Sequence, residues 1–247
     1  MKKTKKKIYA GSLILKILVI LAAVFTLVML GYLIVYILAK GIPHLTPSLF
    51  SIHYDSDNVS MLPSIINTLI MIGVALLIAV PVGVFSAVYL TEYAKKGNKL
   101  VKVIRTTAET LTGIPSIVYG FFGLVLMVPL IRNTFGGTGT SWLAASLLLG
   151  IMILPTIIGV SESAIRAVPE SYYEGALALG DTHERSVFCA VLPAAKSGIM
   201  AGVILGVGRA IGETMAVIMV AGNQPVIPGS VLAGVRTMTA NIVLEMG

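Results

Sequence analysis

The chain has 247 residues, 56% hydrophobic and 12% charged, with a mean hydropathy of +0.94. A soluble domain carries about 25% charged residues, so the composition excludes that class and defines an integral membrane protein with room for five or six helices of about 20 residues. The net charge of +7 is explained by membrane topology rather than by nucleic acid, and the single cysteine, Cys189, excludes an intrachain disulfide and any multi-cysteine metal site.

The N-terminal MKKTKKK and the apolar run behind it imitate a secretory signal. The run extends from Ile17 to Ala39, however, past the roughly 7–15 residues of a signal core and without a small-residue cleavage pattern. It reads as a retained first span, 17–39, between a Lys-rich segment 1–16 and an external loop 40–62. Further spans are expected over about Ile65–Leu90, Leu111–Ile131, Trp142–Val160 and Ser197–Ala221. The fold class is all-α membrane, with five predicted transmembrane helices. A core occupies 63–222, a polar loop occupies 163–196 within it, and an external segment follows at 223–247.

Lysine and arginine orient these spans. Thirteen lie in the N-terminus, in the loop after span two (Lys95, Lys96, Lys99, Lys102, Arg105) and in the 163–196 loop (Arg166, Arg185, Lys196). Only Lys40, Arg132 and Arg236 lie on the other side. The N-terminus and the 163–196 loop are therefore expected in the cytoplasm of a multi-pass protein.

Prolines 81, 115, 129 and 155 interrupt the spans, and such kinks survive in lipid only where protein or water meets the freed backbone groups. The stretch Thr112-Gly-Ile-Pro-Ser116 groups a kink with hydroxyl side chains, which makes Thr112 and Ser116 candidates for a gated pathway. Span five instead carries a stripe of Gly198, Gly202 and Gly206, a pattern that lets two helix backbones approach closely. Arg209 and Glu213 follow at a spacing of four, expected on one helix face. An isolated charge in a span costs several kcal/mol, so such residues face a bundle interior or an aqueous path. Arg209 could attract an oxyanion through its planar donors, with Glu213 partly offsetting the charge, or the two could pair with each other.

In the 163–196 loop, Glu174, Gly175 and Ala176 are followed by Gly180 and then by Leu192 and Pro193. This spacing resembles the Glu-Ala-Ala loop of ABC importer permeases, with Gly175 and Ala190 departing from the usual residues. The segment from Gly206 to Val220, with Gly-Glu-Thr-Met-Ala-Val at its centre, is similar to the corresponding helix of phosphate ABC transporter permeases of the PstC type. Gly113–Gly120 and Leu232–Gly247 resemble the same family.

The resemblance implies a type I ABC importer permease fold in a bacterial or archaeal cell membrane. Expected partners are a PstA-type second permease, a dimer of ATP-binding subunits and an external phosphate-binding protein. The loop 163–196 would dock on the ATPase through a short coupling helix, with Gly180 making the turn and Pro193 stopping the loop before span five. The family has a sixth span after the fifth, so a last helix is expected to be absent from the chain as given. No G-x-x-x-x-G-K-[ST] loop is present, so no cofactor is expected on this chain, and ATP would be used by the partner subunit. No His/Asp/Glu set has metal-ligand spacing. His44, His53 and His183 read as exposed or satisfied, and Ser161-Glu162-Ser163 as a helix end without chemistry. Two other readings remain: a permease for another oxyanion, and a secondary transporter that needs no ATP.

Overall fold

The computed structural model describes residues 10–55, 58–94 and 97–246. The N-terminal lysines 2, 3, 5, 6 and 7, and Lys95 and Lys96, lie outside the described residues. The chain divides into two units, the first ending at Leu49 and the second beginning at Phe50.

The first unit is built on α1, Ala10–Gly41, which is apolar around its whole circumference, as a lipid-facing span must be. Lys40 in its last turn is favourable beside the terminal carbonyls.

In the second unit, α2 spans Leu62–Val88 and widens into a π turn at Tyr89–Tyr93. Next come α3, Lys99–Gly113, and a break at Ile114–Pro115. The third span consists of α4 (Ser116–Phe122), a π turn (Gly123–Met127) and α5 (Val128–Phe135). Then α6 runs from Trp142 to Arg166, with Pro155 inside it. Two short helices, α7 (Glu170–Ala178) and α8 (His183–Ser186), lead through a π turn at Val187–Val191 into α9, Leu192–Gly212. The chain closes with α10, Met215–Val220, and α11, Met238–Glu245. Among the described residues the one β feature is an isolated parallel bridge between Gly222 and Val235. Among the described residues five helical runs are long and apolar enough to cross a membrane.

Three sequence expectations are corrected. Span three does not begin at Leu111, because the Gly-Ile-Pro break ends α3 and the crossing starts at Ser116. Span five is not one helix over 197–221. Its helical run begins at His183 and ends at Gly212, where the backbone turns extended at Glu213 (ψ 124°). Pro193 does not stop the loop before that span. The Leu192 N–H reaches back five residues to the Val187 carbonyl, and the widened turn makes room for the proline ring. Pro129 follows an equivalent turn, in which the Val128 N–H bonds to Gly123.

Helix α6 is the axis of the unit, packed against both α2 and α9. Lipid supplies no hydrophobic drive between helices, so close approach of small residues does the holding. A Cβ added at Gly83 would lie 2.8 Å from Ile157 Cγ2, one at Gly202 3.1 Å from Val160 Cβ, and one at Gly206 3.3 Å from Ile157 Cγ1. Gly198 meets Ala164 closer still. Ile157, fully buried, is therefore gripped by glycines of two different helices. The residues 220–238 cap the first turn of α6. Its early backbone donors go to carbonyls of that segment: Ser141 N–H to Val220, Trp142 N–H to Ala233 and Leu143 N–H to Val231, all within 3.1 Å. The Ser141 hydroxyl accepts from Ala144 N–H.

Candidate functional site: a broken helix and a coupling hairpin

Arg209 sits in the last turn of α9, half-buried, where the terminal carbonyls favour a cation. In α4 the Tyr119 hydroxyl donates to the Leu111 carbonyl at 2.8 Å, stitching α4 to the end of α3 across the break. Among the described residues, no ion pair or hydrogen bond holds the Arg209 guanidinium.

Helix α9 ends at Gly212, so the i,i+4 geometry expected of Arg209 and Glu213 no longer applies. Instead the Glu213 carboxylate accepts from the Ala216 N–H at 3.2 Å, capping the start of α10. The Glu213 carbonyl accepts from the Thr239 hydroxyl of α11 at 2.9 Å. The freed backbone and side chain are both satisfied by protein, as a break in a membrane span requires.

Thr112 and Ser116 flank the other break. Thr112 is exposed and donates its hydroxyl to Glu109 O at 2.6 Å, while Ser116 is half-buried at the first turn of α4. Neither is hydrogen-bonded to Arg209 or Glu213 among the described residues. Tyr119, which bridges the break between α3 and α4, was not singled out in the sequence, although it lies within the Gly113–Gly120 motif.

The second functional region is the hairpin from α7 into α8. Glu174, Gly175 and Ala176 lie on α7, the first two exposed and Ala176 half-buried. Gly180 has φ +92°, a conformation L side chains rarely adopt. Its N–H bonds to Leu177 O at 2.9 Å and the Asp181 N–H to Ala176 O at 3.2 Å, which closes the helix with two reverse bonds. Thr182 then caps α8 by accepting from Arg185 N–H. The side chain of Leu179 is 90% exposed at the tip.

The base of this hairpin is anchored. The Tyr173 hydroxyl lies 2.8 Å from His183 Nδ1, and the Tyr93 ring meets the His183 ring edge-on at 5.0 Å. Buried Val187 and Val191 join Ala87, Val88, Ile165 and Ala195 beneath it. Leu192 and Pro193 open α9 just behind this cluster. Among the described residues no group of three His, Cys, Asp or Glu could hold a metal ion.

An all-helical membrane subunit with two broken helices and a projecting helical hairpin defines the type I ABC importer permease fold. A subunit of the MetNI methionine ABC transporter, solved in inward-facing conformations, superposes with a TM-score of 0.50 at 23% identity, over 74% of this chain and 84% of that one. Residues 79–243 match the family model described as binding-protein-dependent transport system inner membrane component, and the chain belongs to that family.

Relatives include the "Probable ABC transporter permease protein YqgH" of Bacillus subtilis, 42% identical over 78% of this chain and 62% of that protein. The phosphate transport system permease protein PstC of Mesorhizobium japonicum is 34% identical over 91% of this chain and 76% of that protein. PstC of Haemophilus influenzae is 36% identical over 73% and 63%. The chain thus spans 62% to 76% of the lengths of these relatives.

Proposed function

We propose that the chain is a permease subunit of an ATP-driven importer for inorganic phosphate. The observation that carries this is Arg209: a guanidinium within a membrane-spanning run, beside a helix break, with no carboxylate paired to it among the described residues. Glu213 is engaged in capping α10, so the Arg209 charge is free for a mobile oxyanion. The PstC names of the relatives support phosphate as that anion. Retaining a lone cation at such a position costs several kcal/mol, which makes sense only where it faces a polar path.

The Lys/Arg asymmetry supports an N-terminus and an α7–α8 hairpin in the cytoplasm of a cell inner membrane. Glu174, Gly175, Ala176 and Gly180 would then couple to an ATP-binding subunit dimer, with Leu192 and Pro193 fixing where the hairpin joins α9. A second permease of PstA type and an external phosphate-binding protein complete the assembly. ATP is hydrolysed by the partner, since this chain carries no phosphate-cradling Gly-Lys-Ser/Thr loop.

The test is ATP-driven uptake of labelled phosphate by the assembled transporter in vesicles. Arg209→Gln should abolish uptake while all subunits still co-purify; normal uptake by that variant would sink the reading. Unlabelled sulfate and molybdate as competitors decide between phosphate and other oxyanions.

A further inference from the structure

A second concentration of charge lies where α3 meets the last turns of α6. A cavity of 410 Å³ opens there, lined by Arg105, Glu109 and Thr112 of α3 and by Glu162, Ser163 and Arg166 of α6. A single oxygen, Glu162 Oε1, accepts from Arg105 Nη2 at 2.6 Å and from Arg166 Nη2 at 2.9 Å. The Glu162 side chain is 14% exposed, and Arg105 Nε is buried without a partner. Each guanidinium carries five N–H donors, so most of this array remains available.

The hydroxyls in the wall do not add donors, since Thr112 bonds to Glu109 O and Ser163 to Gly159 O. Arg105 and Arg166 against Glu162 leave one positive charge around the Glu162 oxygen, and Glu109, on α3 like Arg105, brings the cavity as a whole to neutrality. With no net charge, the cavity binds an anion through the unused guanidinium donors alone, and so does not hold it tightly. The Tyr119 hydroxyl bonds to Leu111, the neighbour of Thr112, so the wall of this cavity is tied across the break to α4.

The geometry points to this cavity as the release station of the pathway, where a tetrahedral oxyanion is held between Arg105 and Arg166 and is displaced by Glu162. The inference rests on the phosphate-import reading above. Glu162 Oε1 occupies the point on which both guanidiniums converge, where an anion oxygen would sit. A dianion entering the cavity competes with that oxygen for the two arginines. When the carboxylate returns, both arginines are paired again, so the anion leaves without two bare cations being left behind. Glu162 is a positioning residue here, and its role is competitive rather than purely structural.

The experiment uses the assembled transporter in vesicles whose lumen, equivalent to the cytoplasm, holds ATP and a graded concentration of inorganic phosphate. Initial uptake of labelled phosphate presented outside is measured. Luminal phosphate should slow wild-type uptake in a saturable way, and luminal chloride should not. Glu162→Gln should lower the half-inhibitory luminal concentration about tenfold, the equivalent of one charge-assisted hydrogen bond of roughly 1.4 kcal/mol. Arg105→Gln and Arg166→Gln should raise it by a similar factor, and Arg105→Lys should restore part of the sensitivity.

Arg166→Gln leaves the Arg105–Glu162 pair in place, so it reports even where the other variants fail to assemble. Identical luminal dependence in wild type and in Arg166→Gln would overturn the inference and leave the import reading standing. A wild type that imports no external phosphate would overturn the import reading itself.

Discussion

The grip on Ile157 makes a quantitative prediction. A methyl at Gly83 would sit 2.8 Å from Ile157 Cγ2 and 3.2 Å from Ile157 Cβ. Ordinary carbon contacts lie at about 3.5–4.0 Å, so the overlap with Cγ2 is roughly 0.7–1.2 Å. A β-branched side chain in a helix has essentially one rotamer and cannot swing away. The overlap must be relieved by moving α2 from α6, and overpacking of this kind costs about 1–3 kcal/mol. Ile157→Ala alone leaves a cavity and costs about 2–5 kcal/mol. In the double variant the new methyl occupies part of the space that Ile157 vacates. Ile157→Ala keeps the Cβ, 3.2 Å from the new methyl, so a little of the overlap remains, but the double variant should cost clearly less than the sum of the two. Thermal unfolding of the detergent-solubilised protein, followed by the fluorescence of buried Trp142, reads this cycle, with about 2–4 °C per kcal/mol for a chain of this size. Strictly additive losses would refute the direct contact, since only coupled sites depart from additivity.

Three further outcomes are expected. Gly180→Val places a β-branched residue at φ +92° and costs about 1–2 kcal/mol or more locally; hydrolysis by the partner ATPase should then lose its dependence on the loaded binding protein although the subunits still co-purify, and retained dependence would refute the turn's role in coupling. Asn67→Ala removes the buried amide that donates to Val226 O at 2.9 Å, a loss of about 1–3 kcal/mol that should open 223–236 to protease; unchanged resistance would show that the amide does not hold the segment. The Tyr54 phenol donates to Glu245 at 2.8 Å, and this bond, aided by burial and opposed by Arg236, raises its pKa above the ordinary 10.0. The tie to α11 is therefore complete below about pH 10 and is lost as pH rises through the raised value. Glu245→Gln should move the tyrosinate absorbance assigned by Tyr54→Phe back toward pH 10, and an unmoved titration would contradict the assignment.

The features legible in the sequence were those set by local chemistry. Gly180 could be placed at a turn because a left-handed backbone leaves little choice of residue. The stripe at Gly198, Gly202 and Gly206 announced close packing because periodicity puts these residues on one side of any helix. The break after Gly212 was hidden. Met215–Val220 continues the apolar pattern, and the break is satisfied by the Glu213 carboxylate, which accepts from the Ala216 N–H three residues on, and by the Thr239 hydroxyl from a distant helix, which donates to the Glu213 carbonyl. The start of span three was misplaced because α3, although amphipathic, ends in Leu111-Thr-Gly-Ile-Pro, which reads on into the next apolar run. Glu162 looked inert because its partner Arg105 lies 57 residues away in the chain. The helix at Met238–Glu245 is short and polar enough to pass for loop, and its place depends on Arg236 bonding to Asn241 and Glu245.

The capping of α6 by residues 220–238 also sets an order of birth. Asn67 waits for a carbonyl 159 residues further along the chain, which at a ribosomal pace of about 5–20 residues per second is roughly 8–30 s. The start of α2 is present through that whole interval and the start of α6 from Trp142 onward, yet until the 220–238 segment is made their polar groups have only water, headgroups or insertion machinery for partners. Closure of this end of the bundle is therefore a late event of biogenesis, and it reports that residues 220–238 have reached the side of the membrane on which α2 and α6 begin.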